Sequence, residues 1–291
     1  MEECIDAFAI FGGFGRALDL DIPLHELIVS EVLDHYDELN ATIGTIVKGN
    51  GTHEKLLSAI AKGDRRVHSA FRRSRVSEIR GHAMLDELRL QGILNVEFSR
   101  EAPPQRDHPK QQLKREIARH RISHKMRFSM PFLRFWFYFI APYHQQIIKG
   151  DYSSVIHTFE QQHLSFSGYA FEELCNLYLL LHSNDELLDL GSYWDRQVEI
   201  DILARTKKGH TIVGECKWTN HKINRKELHR LEEKCEKIGL EYDEMLLFSK
   251  RGFSNELTQT QNKTLILYRA EDLKELLANV KNNEILKTPF N

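Results

Sequence analysis

The sequence predicts an α/β protein in which a helical amino-terminal part precedes a β-sheet flanked by helices. In residues 1–91, apolar side chains recur mainly at helical spacing. In residues 198–268, four short apolar segments have the length and alternation of strands, and a long charged segment with helical spacing separates the second from the third. Strands interrupted by helices are typical of the α/β class.

Length and composition indicate an ordinary globular chain. Its 291 residues are enough for two domains, and its formal net charge is −2. The four cysteines form no CxxC pair, so neither structural zinc nor a disulfide framework is expected. The acidic start of the chain does not resemble a signal peptide, and the most hydrophobic stretch, residues 130–142, is too short to cross a bilayer. We therefore expect a cytoplasmic protein that does not associate with membranes.

Residues 52–100 predict a winged helix-turn-helix. Three short helices are expected at His53–Ala61, Val67–Arg72 and Val76–Gln91, and a strand is expected at Ile93–Phe98. Three helices followed by a β-ribbon is the order of elements in a winged helix.

The same segment is locally basic, although the whole chain is not. Between residues 62 and 80, seven lysines and arginines stand against two acidic residues. Arginines concentrated at the second helix and the start of the third are placed where a helix-turn-helix contacts phosphates and the major groove. The predicted nucleic-acid-binding residues are Arg65, Arg66, Arg72, Arg73, Arg75 and Arg80. The alternative is a solvated basic face on a small helical domain that binds protein.

Composition divides the chain into three predicted parts. Residues 1–102 form the helical region that contains the winged helix at about 52–100. Residues 103–150 form a basic and aromatic helical linker that opens with several prolines. Its aromatic stretch, residues 128–140, is assigned to packing rather than to base stacking. Residues 151–291 form the domain with the predicted chemistry.

The third part has a regular order of predicted elements. Helices are expected at Val155–Gln162 and Phe171–His182, and strands at Val198–Ala204 and Thr211–Trp218, joined by a turn. The remaining elements are a helix at Asn224–Gly239, strands at Met245–Ser249 and Thr264–Tyr268, and a closing helix at Ala270–Val280.

Three charged side chains in the first two of these strands predict a metal site. Asp201 stands between two isoleucines, whereas Glu215 and Lys217 are two residues apart in the next strand and share one face of the sheet. Adjacent buried carboxylates raise each other's pKa, and a divalent cation that takes oxygen ligands, Mg²⁺ or Mn²⁺, removes that repulsion. Lys217 would polarise the attacking water or stabilise the phosphate. We expect Glu199 to face the opposite side of the strand and not to be a ligand.

These residues resemble the PD-(D/E)XK nuclease pattern. Asp201 and Glu215-Cys-Lys217 match it, and the resemblance implies that Glu172, on the preceding helix, adds a metal contact. More closely, residues 128–218 resemble the carboxyl-terminal domain of the archaeal-type ATPase family, which is related to restriction endonucleases. The matching motifs are Pro131-Phe-Leu-Arg-Phe-Trp-Phe137, Gly168-Tyr-Ala-Phe-Glu172, Val198-Glu-Ile-Asp201 and Gly214-Glu-Cys-Lys-Trp218. The resemblance implies a restriction-endonuclease-like α/β/α core preceded by a winged helix.

The resemblance does not extend to ATP binding. The ATPase domain of that family is absent from this sequence, which has no Gly-x-x-x-x-Gly-Lys-Ser/Thr loop. A separate ATPase is therefore a possible partner. A homodimer is expected by analogy with restriction-type nucleases, because cutting both strands takes two centres.

The leading hypothesis is a Mg²⁺-dependent DNA endonuclease, a phosphodiester hydrolase whose winged helix positions the duplex. The alternative is a DNA-binding regulator or scaffold with an inactive nuclease-like core. A third hypothesis is a protein-interaction module that works with a separate ATPase and binds an acidic partner through its arginines.

Overall fold

The computed structural model describes residues 1–48, 51–100, 108, 123–183 and 185–277. The chain packs as two compact units. The first unit comprises Met1–Glu97, Lys125–Glu173 and Glu271–Asn291, and the second comprises Phe98–His124 and Leu174–Ala270. These units do not follow the predicted boundaries after residues 102 and 150, because residues 125–173 pack with the amino-terminal helices. The basic residues 110–121 of the predicted linker lie outside the described residues.

The first unit opens with helices, as the sequence predicts. They are α1 (Glu2–Phe11), α2 (Leu24–Ile28), continued as a π-helix over Val29–Leu33, and α3 (Tyr36–Ile46). The apolar residues that recur at helical spacing here, such as Leu27, Val32 and Leu39, are buried. Burial of one apolar stripe on each helix explains why this region folds.

An aromatic segment forms the centre of the first unit. It consists of α7 (Pro131–Phe135), a π-helix (Trp136–Ile140), a 3₁₀ turn (Ala141–Tyr143) and α8 (His144–Ile147). Trp136 is buried and stacks on Tyr36, with ring centroids 5.5 Å apart. Phe132, Phe135 and Phe139 are fully buried in the same cluster. The prediction that these aromatic side chains serve packing is confirmed.

The segment predicted as a winged helix has the expected order of elements. Helices α4 (Gly51–Lys62), α5 (Val67–Ser74) and α6 (Glu78–Leu90) precede β1 (Leu94–Glu97), which pairs antiparallel with β2 (Lys125–Phe128). Between α5 and α6 the chain turns at Arg75, which has a φ of 56°. Gly81 lets the two helices approach closely, because a Cβ there would lie 2.4 Å from a ring carbon of Phe71.

Helix α9 (Ser153–His182) is a single helix of 30 residues. The sequence predicts two shorter helices there, separated by a stretch that contains Gly168, and that break is wrong. Phe166 and Phe171, on either side of the glycine, are buried. Their packing outweighs the cost of about 1 kcal/mol for one glycine inside a helix. Neither α9 nor any other helix of the described residues is long and apolar enough to cross a membrane.

The second unit is built on a five-stranded mixed sheet. In spatial order its strands are β3 (Leu187–Trp194), β4 (Glu199–Thr206), β5 (Thr211–Lys217), β6 (Glu244–Ser249) and β7 (Leu265–Arg269). Strands β3, β4 and β5 are antiparallel, whereas β5, β6 and β7 are parallel. The connecting helices are α10 (Arg225–Ile238) and α11 (Asn255–Thr260), and a 3₁₀ helix over Ala270–Leu277 follows β7.

Helices cover both faces of this sheet. On one face, Leu231 and Cys235 of α10 pack with Val213 of β5 in the core of the second unit. On the other face, Tyr178 of α9 contacts the rings of Phe248 and Tyr268. The predicted α/β class, with a helical region ahead of a sheet flanked by helices, is confirmed.

Candidate functional site

The hairpin of β4 and β5 brings Asp201, Glu215 and Lys217 to one face of the sheet. Ile202 pairs with Gly214, and one further step in this antiparallel register places Asp201 opposite Glu215. Glu215 and Lys217 share that face because they are two residues apart on β5. Helix α10 packs on the same face, so the three charged groups lie beside a helix rather than on an open sheet.

Glu215 is the most buried of the three, with 6% of its surface exposed. The Lys217 Nζ lies 2.6 Å from its Oε1. A second ammonium group, that of Lys234 on α10, lies 2.8 Å from Oε1 and 2.7 Å from Oε2. Both carboxylate oxygens therefore accept hydrogen bonds from lysines, which offsets the cost of burying the charge.

Asp201 is half-buried next to Glu215. Its Oδ2 accepts a hydrogen bond from the backbone N–H of Cys216 at 2.9 Å. The pKa of Asp201 is raised to about 7, first by burial and then by the charge of Glu215, while the Cys216 N–H and the two lysines oppose this shift. At neutral pH, both the protonated and the charged form of Asp201 are therefore populated.

The raised pKa of Asp201 predicts a pH-dependent effect on folding. The carboxyl titrates near 3.8 in the unfolded chain and near 7 in the folded one, so its contribution to stability is full below pH 3.8 and is lost as the pH rises toward 7. In Asp201→Asn the side chain still accepts from the Cys216 N–H but does not titrate. In EDTA, we expect the thermal midpoint of the wild type to fall relative to that of Asp201→Asn from about pH 4 to about pH 7. Midpoints that run parallel over this range would contradict the raised pKa.

Lys217 is held as a cation. Burial lowers its pKa, but the charge of Glu215 and the hydrogen bond to it raise the pKa by more, so that the pKa lies above its ordinary value. Glu227 of α10 adds a longer ion pair, at 4.0 Å. A permanently charged ammonium group suits the stabilisation of negative charge on a phosphate better than the abstraction of a proton.

The two carboxylates fit a hard divalent cation. Their mutual repulsion contributes to the raised pKa of Asp201. Proteins hold Mg²⁺ through one or two carboxylates together with waters and substrate phosphates. Within the described residues, no group of three or more His, Cys, Asp or Glu side chains is placed to hold a metal ion. A centre here would rest on Asp201 and Glu215, with water or substrate oxygens completing the coordination.

Glu172, the third predicted metal ligand, belongs to the first unit, whereas Asp201 and Glu215 belong to the second. Its neighbour Glu173 accepts a hydrogen bond from the Tyr169 hydroxyl at 2.8 Å and pairs with Arg127 at 3.2 Å. Glu173 therefore makes these two contacts within the first unit. The metal-ligand role of Glu172 stays a prediction.

The register of β4 places Glu199 away from Asp201. Between the pairs Gly191–Leu203 and Tyr193–Ile200, strand β4 contains one residue more than β3, a bulge that interrupts the alternation of side chains. Ile200 accordingly lies in the same core cluster as Leu203 and Val213, on the face that α10 covers. Glu199 precedes Ile200, is exposed and therefore points to the opposite face, as expected.

Lys234 is the site residue that the sequence analysis missed. On α10, Leu231 and Cys235 are fully buried, and Lys234 lies on the same side of the helix. Glu227, seven residues before Lys234, also points toward the site. A lysine within the buried stripe of a predicted helix needs a partner, and that spacing is the signal that could have identified it.

Three of the predicted nucleic-acid-binding arginines line a basic cleft in the first unit. The cleft has a volume of about 1150 Å³ and is formed by α4, the turn after α5 and the start of α6. Its positively charged lining residues are Lys55, Lys62, Arg73, Arg75 and Arg80, and Glu54 also lines it. Such an excess of positive charge is typical of a surface that binds phosphates.

Arg65 lies largely in the interior of the first unit, and its nucleic-acid contact stays a prediction. Its guanidinium lies 3.7 Å from the centre of the Tyr169 ring, and its Nη1 lies 3.0 Å from Glu97. The side chain is 12% exposed. Of the other two predicted arginines, Arg66 is half-buried and Arg72 is exposed on α5.

The second unit is an α/β/α domain with two carboxylates and two lysines together on one face of its sheet. Residues 136–231 match the protein family DUF234, described as archaeal and bacterial proteins of unknown function. The matched segment is about a third of the chain and contains Asp201, Glu215 and Lys217. No curated protein and no solved structure matches the chain. The family description assigns no activity, so inferences about function rest on the site itself.

Proposed function

We propose that the protein is a Mg²⁺- or Mn²⁺-dependent endonuclease that hydrolyses phosphodiester bonds of DNA. The observation that carries the proposal is the hairpin set of Asp201, Glu215 and Lys217. It combines oxygen ligands for a hard cation with a permanent positive charge beside them. A cytoplasmic location is part of the proposal.

Each residue of the set has a distinct role in this proposal. Asp201 and Glu215 would hold the metal ion, which would supply an activated water and neutralise charge on the scissile phosphate. Lys217 keeps its charge because its pKa is raised, and it stabilises the negative charge that develops on the phosphate oxygens. Glu215 is buried, so its surroundings have a lower dielectric constant than water, and electrostatic interactions at the site are stronger there.

The test of the proposed function is nicking of supercoiled plasmid DNA. Wild-type protein is incubated with plasmid in Mg²⁺, in Mn²⁺ and in EDTA, and the open-circular and linear products are quantified. We expect products in at least one of the two metals and none in EDTA. Intact plasmid in both metals, at protein concentrations in excess of the DNA, would rule the proposal out.

The first unit is proposed to bind the DNA. The support is its order of three helices and a β-ribbon, together with the basic cleft at the start of α6. Phosphates neutralised by lysines and arginines release counterions, so binding of this kind weakens steeply with salt.

The cleft gives a quantitative prediction for DNA binding. Replacement of Arg73, Arg75 and Arg80 together by Gln should reduce affinity for a duplex and lower the slope of log K against log salt by up to about 3, since each phosphate contact contributes about 0.9. Fluorescence anisotropy at several salt concentrations measures both quantities. The matched control is Arg89→Gln, because Arg89 is exposed near the other end of α6 and pairs with Asp86. An unchanged slope in the triple variant would exclude the cleft from DNA binding.

A second candidate function is a DNA-binding regulator or scaffold with an inactive core. The observation that favours it is the engagement of both Glu215 oxygens by lysine ammonium groups. This function predicts DNA binding that is unchanged by EDTA and by Asp201→Ala, with no plasmid nicking in any metal. The nicking assay therefore separates the two functions.

Two partners belong to the proposal. A second copy of the chain would supply the second centre that a double-strand cut requires. A separate ATPase is implied by the family resemblance of residues 128–218. Size-exclusion chromatography with light scattering, with and without DNA, tests the first of these.

A further inference from the structure

The contact between Lys234 and Glu215 bears directly on metal binding. The ammonium nitrogen lies 2.8 Å from Oε1 and 2.7 Å from Oε2, so it is almost equidistant from the two oxygens. A divalent cation held by the same carboxylate approaches these oxygens to about 2.0–2.6 Å. The ammonium group and a metal ion would therefore occupy overlapping space and would repel each other.

We infer that Lys234 is a displaceable counter-ion that occupies the cation position of Glu215 until a divalent metal ion replaces it. The inference rests on the proposed function, because it concerns the same carboxylate. It assigns to α10 a part in metal binding that the residues of the hairpin alone do not reveal.

Lys234 differs from Lys217 in ways that suit displacement. Lys217 is fixed on a strand, contacts Oε1 of Glu215 and has a second ion pair with Glu227. Lys234 extends from a helix, and the two side chains are about equally exposed, 29% for Lys234 and 27% for Lys217, so they differ in attachment and partners rather than in exposure. Its long, flexible side chain can turn the ammonium group toward water while the helix backbone stays in place.

The charges of the site explain why a metal-free protein needs Lys234. Glu215 is buried, and Asp201 on the opposite strand adds a second carboxylate. In the absence of a metal ion, the two lysines balance the charged forms of these two carboxylates. Replacement of the Lys234 ammonium by a divalent ion leaves a net positive charge, which favours the approach of a phosphate anion.

Metal binding by the full-length chain tests the inference. Mn²⁺ is titrated calorimetrically into chelator-treated wild type, Lys234→Met and Lys237→Met, the last being the control because Lys237 is exposed on the same helix. We expect the Kd for Mn²⁺ to fall by about tenfold or more in Lys234→Met, because no ammonium group competes, and to stay unchanged in Lys237→Met. Without metal, Lys234→Met should unfold at a lower temperature than the wild type.

Each outcome of this titration has a distinct meaning. Equal or weaker Mn²⁺ binding by Lys234→Met overturns the inference and leaves the metal centre standing. If neither protein binds Mn²⁺ at millimolar concentration, the metal centre itself is wrong, and the inference falls with it. If Lys234→Met folds only when Mn²⁺ is present, the inference is supported. If it folds under neither condition, Lys234→Gln, which keeps a hydrogen-bond donor without the charge, is titrated under the same criteria.

Discussion

Lys217→Met should lower the rate of plasmid nicking by about 100-fold or more while leaving DNA affinity unchanged. Methionine keeps the length of the side chain but removes the ammonium group that lies 2.6 Å from Glu215. The loss falls on the chemical step, since the proposed role of this charge is to stabilise negative charge that develops on the phosphate. The measurement is the initial rate of nicking with the metal ion and the protein both in excess of the plasmid.

A matched variant makes this result interpretable. Lys222 is exposed between β5 and α10, so Lys222→Met removes an equal charge away from the carboxylates. It should nick plasmid at the rate of the wild type. If Lys217→Met also retains that rate, either the nicking comes from a contaminating nuclease or Lys217 has no part in it, and the proposed centre loses its main support.

Trp136→Ala should destabilise the protein by about 3–5 kcal/mol, the range observed for removal of large buried aromatic side chains. The indole is 2% exposed and stacks on Tyr36 with an interplanar angle of 7°. Phe132 adds a further ring contact, with centroids 6.3 Å apart. Truncation to alanine therefore leaves a cavity at the centre of the aromatic cluster.

Urea unfolding followed by far-ultraviolet circular dichroism measures this change. Leu90→Ala is the control, because Leu90 is also in the first unit but is 91% exposed. Its free energy of unfolding should change by no more than about 0.5 kcal/mol. A similarly small change in Trp136→Ala would show that the aromatic segment does not contribute the packing assigned to it.

Local sequence patterns predicted most elements around the site. The segment Val198–Ala204 corresponds to β4 and Thr211–Trp218 to β5, because apolar residues occupy most of the buried positions of both strands. The sequence also indicates both ends of α10. Asn224 caps the helix by accepting from the Lys226 N–H at 2.9 Å, and Gly239 ends it with a φ of 64°.

Two strands were missed because their pairing leaves no regular local pattern. Strand β3 lies at the edge of the sheet and has irregular pairing between Leu187 and Asp189 and again between Gly191 and Tyr193. The first irregularity places an extra residue on β3 and interrupts the alternation of side chains that identifies a strand, whereas the second places the extra residue on β4. Strand β2 pairs with β1, from which a long stretch of chain separates it.

The residues of the site also differ in whether the sequence could predict their proximity. Asp201, Glu215 and Lys217 could be brought together from the sequence because they lie on one hairpin, where the register follows from the turn. Lys234 is 19 residues beyond Glu215 and reaches it only because α10 packs on the sheet. The side on which a helix packs is a tertiary property, and a single sequence does not specify it.

Arg75 contributes both a strained left-handed backbone turn and a positive charge of the basic cleft, and one substitution can change both. A φ of 56° strains any residue with a Cβ, by about 1 kcal/mol, whereas glycine adopts it freely. Arg75→Gly would thus remove one charge from the basic cleft and, at the same time, relax the connection between α5 and α6. A variant that binds DNA more weakly but unfolds at a higher temperature could not owe its lower affinity to partial unfolding. At this position, affinity for phosphate can be adjusted, in nature or by design, without loosening the helix pair that presents it.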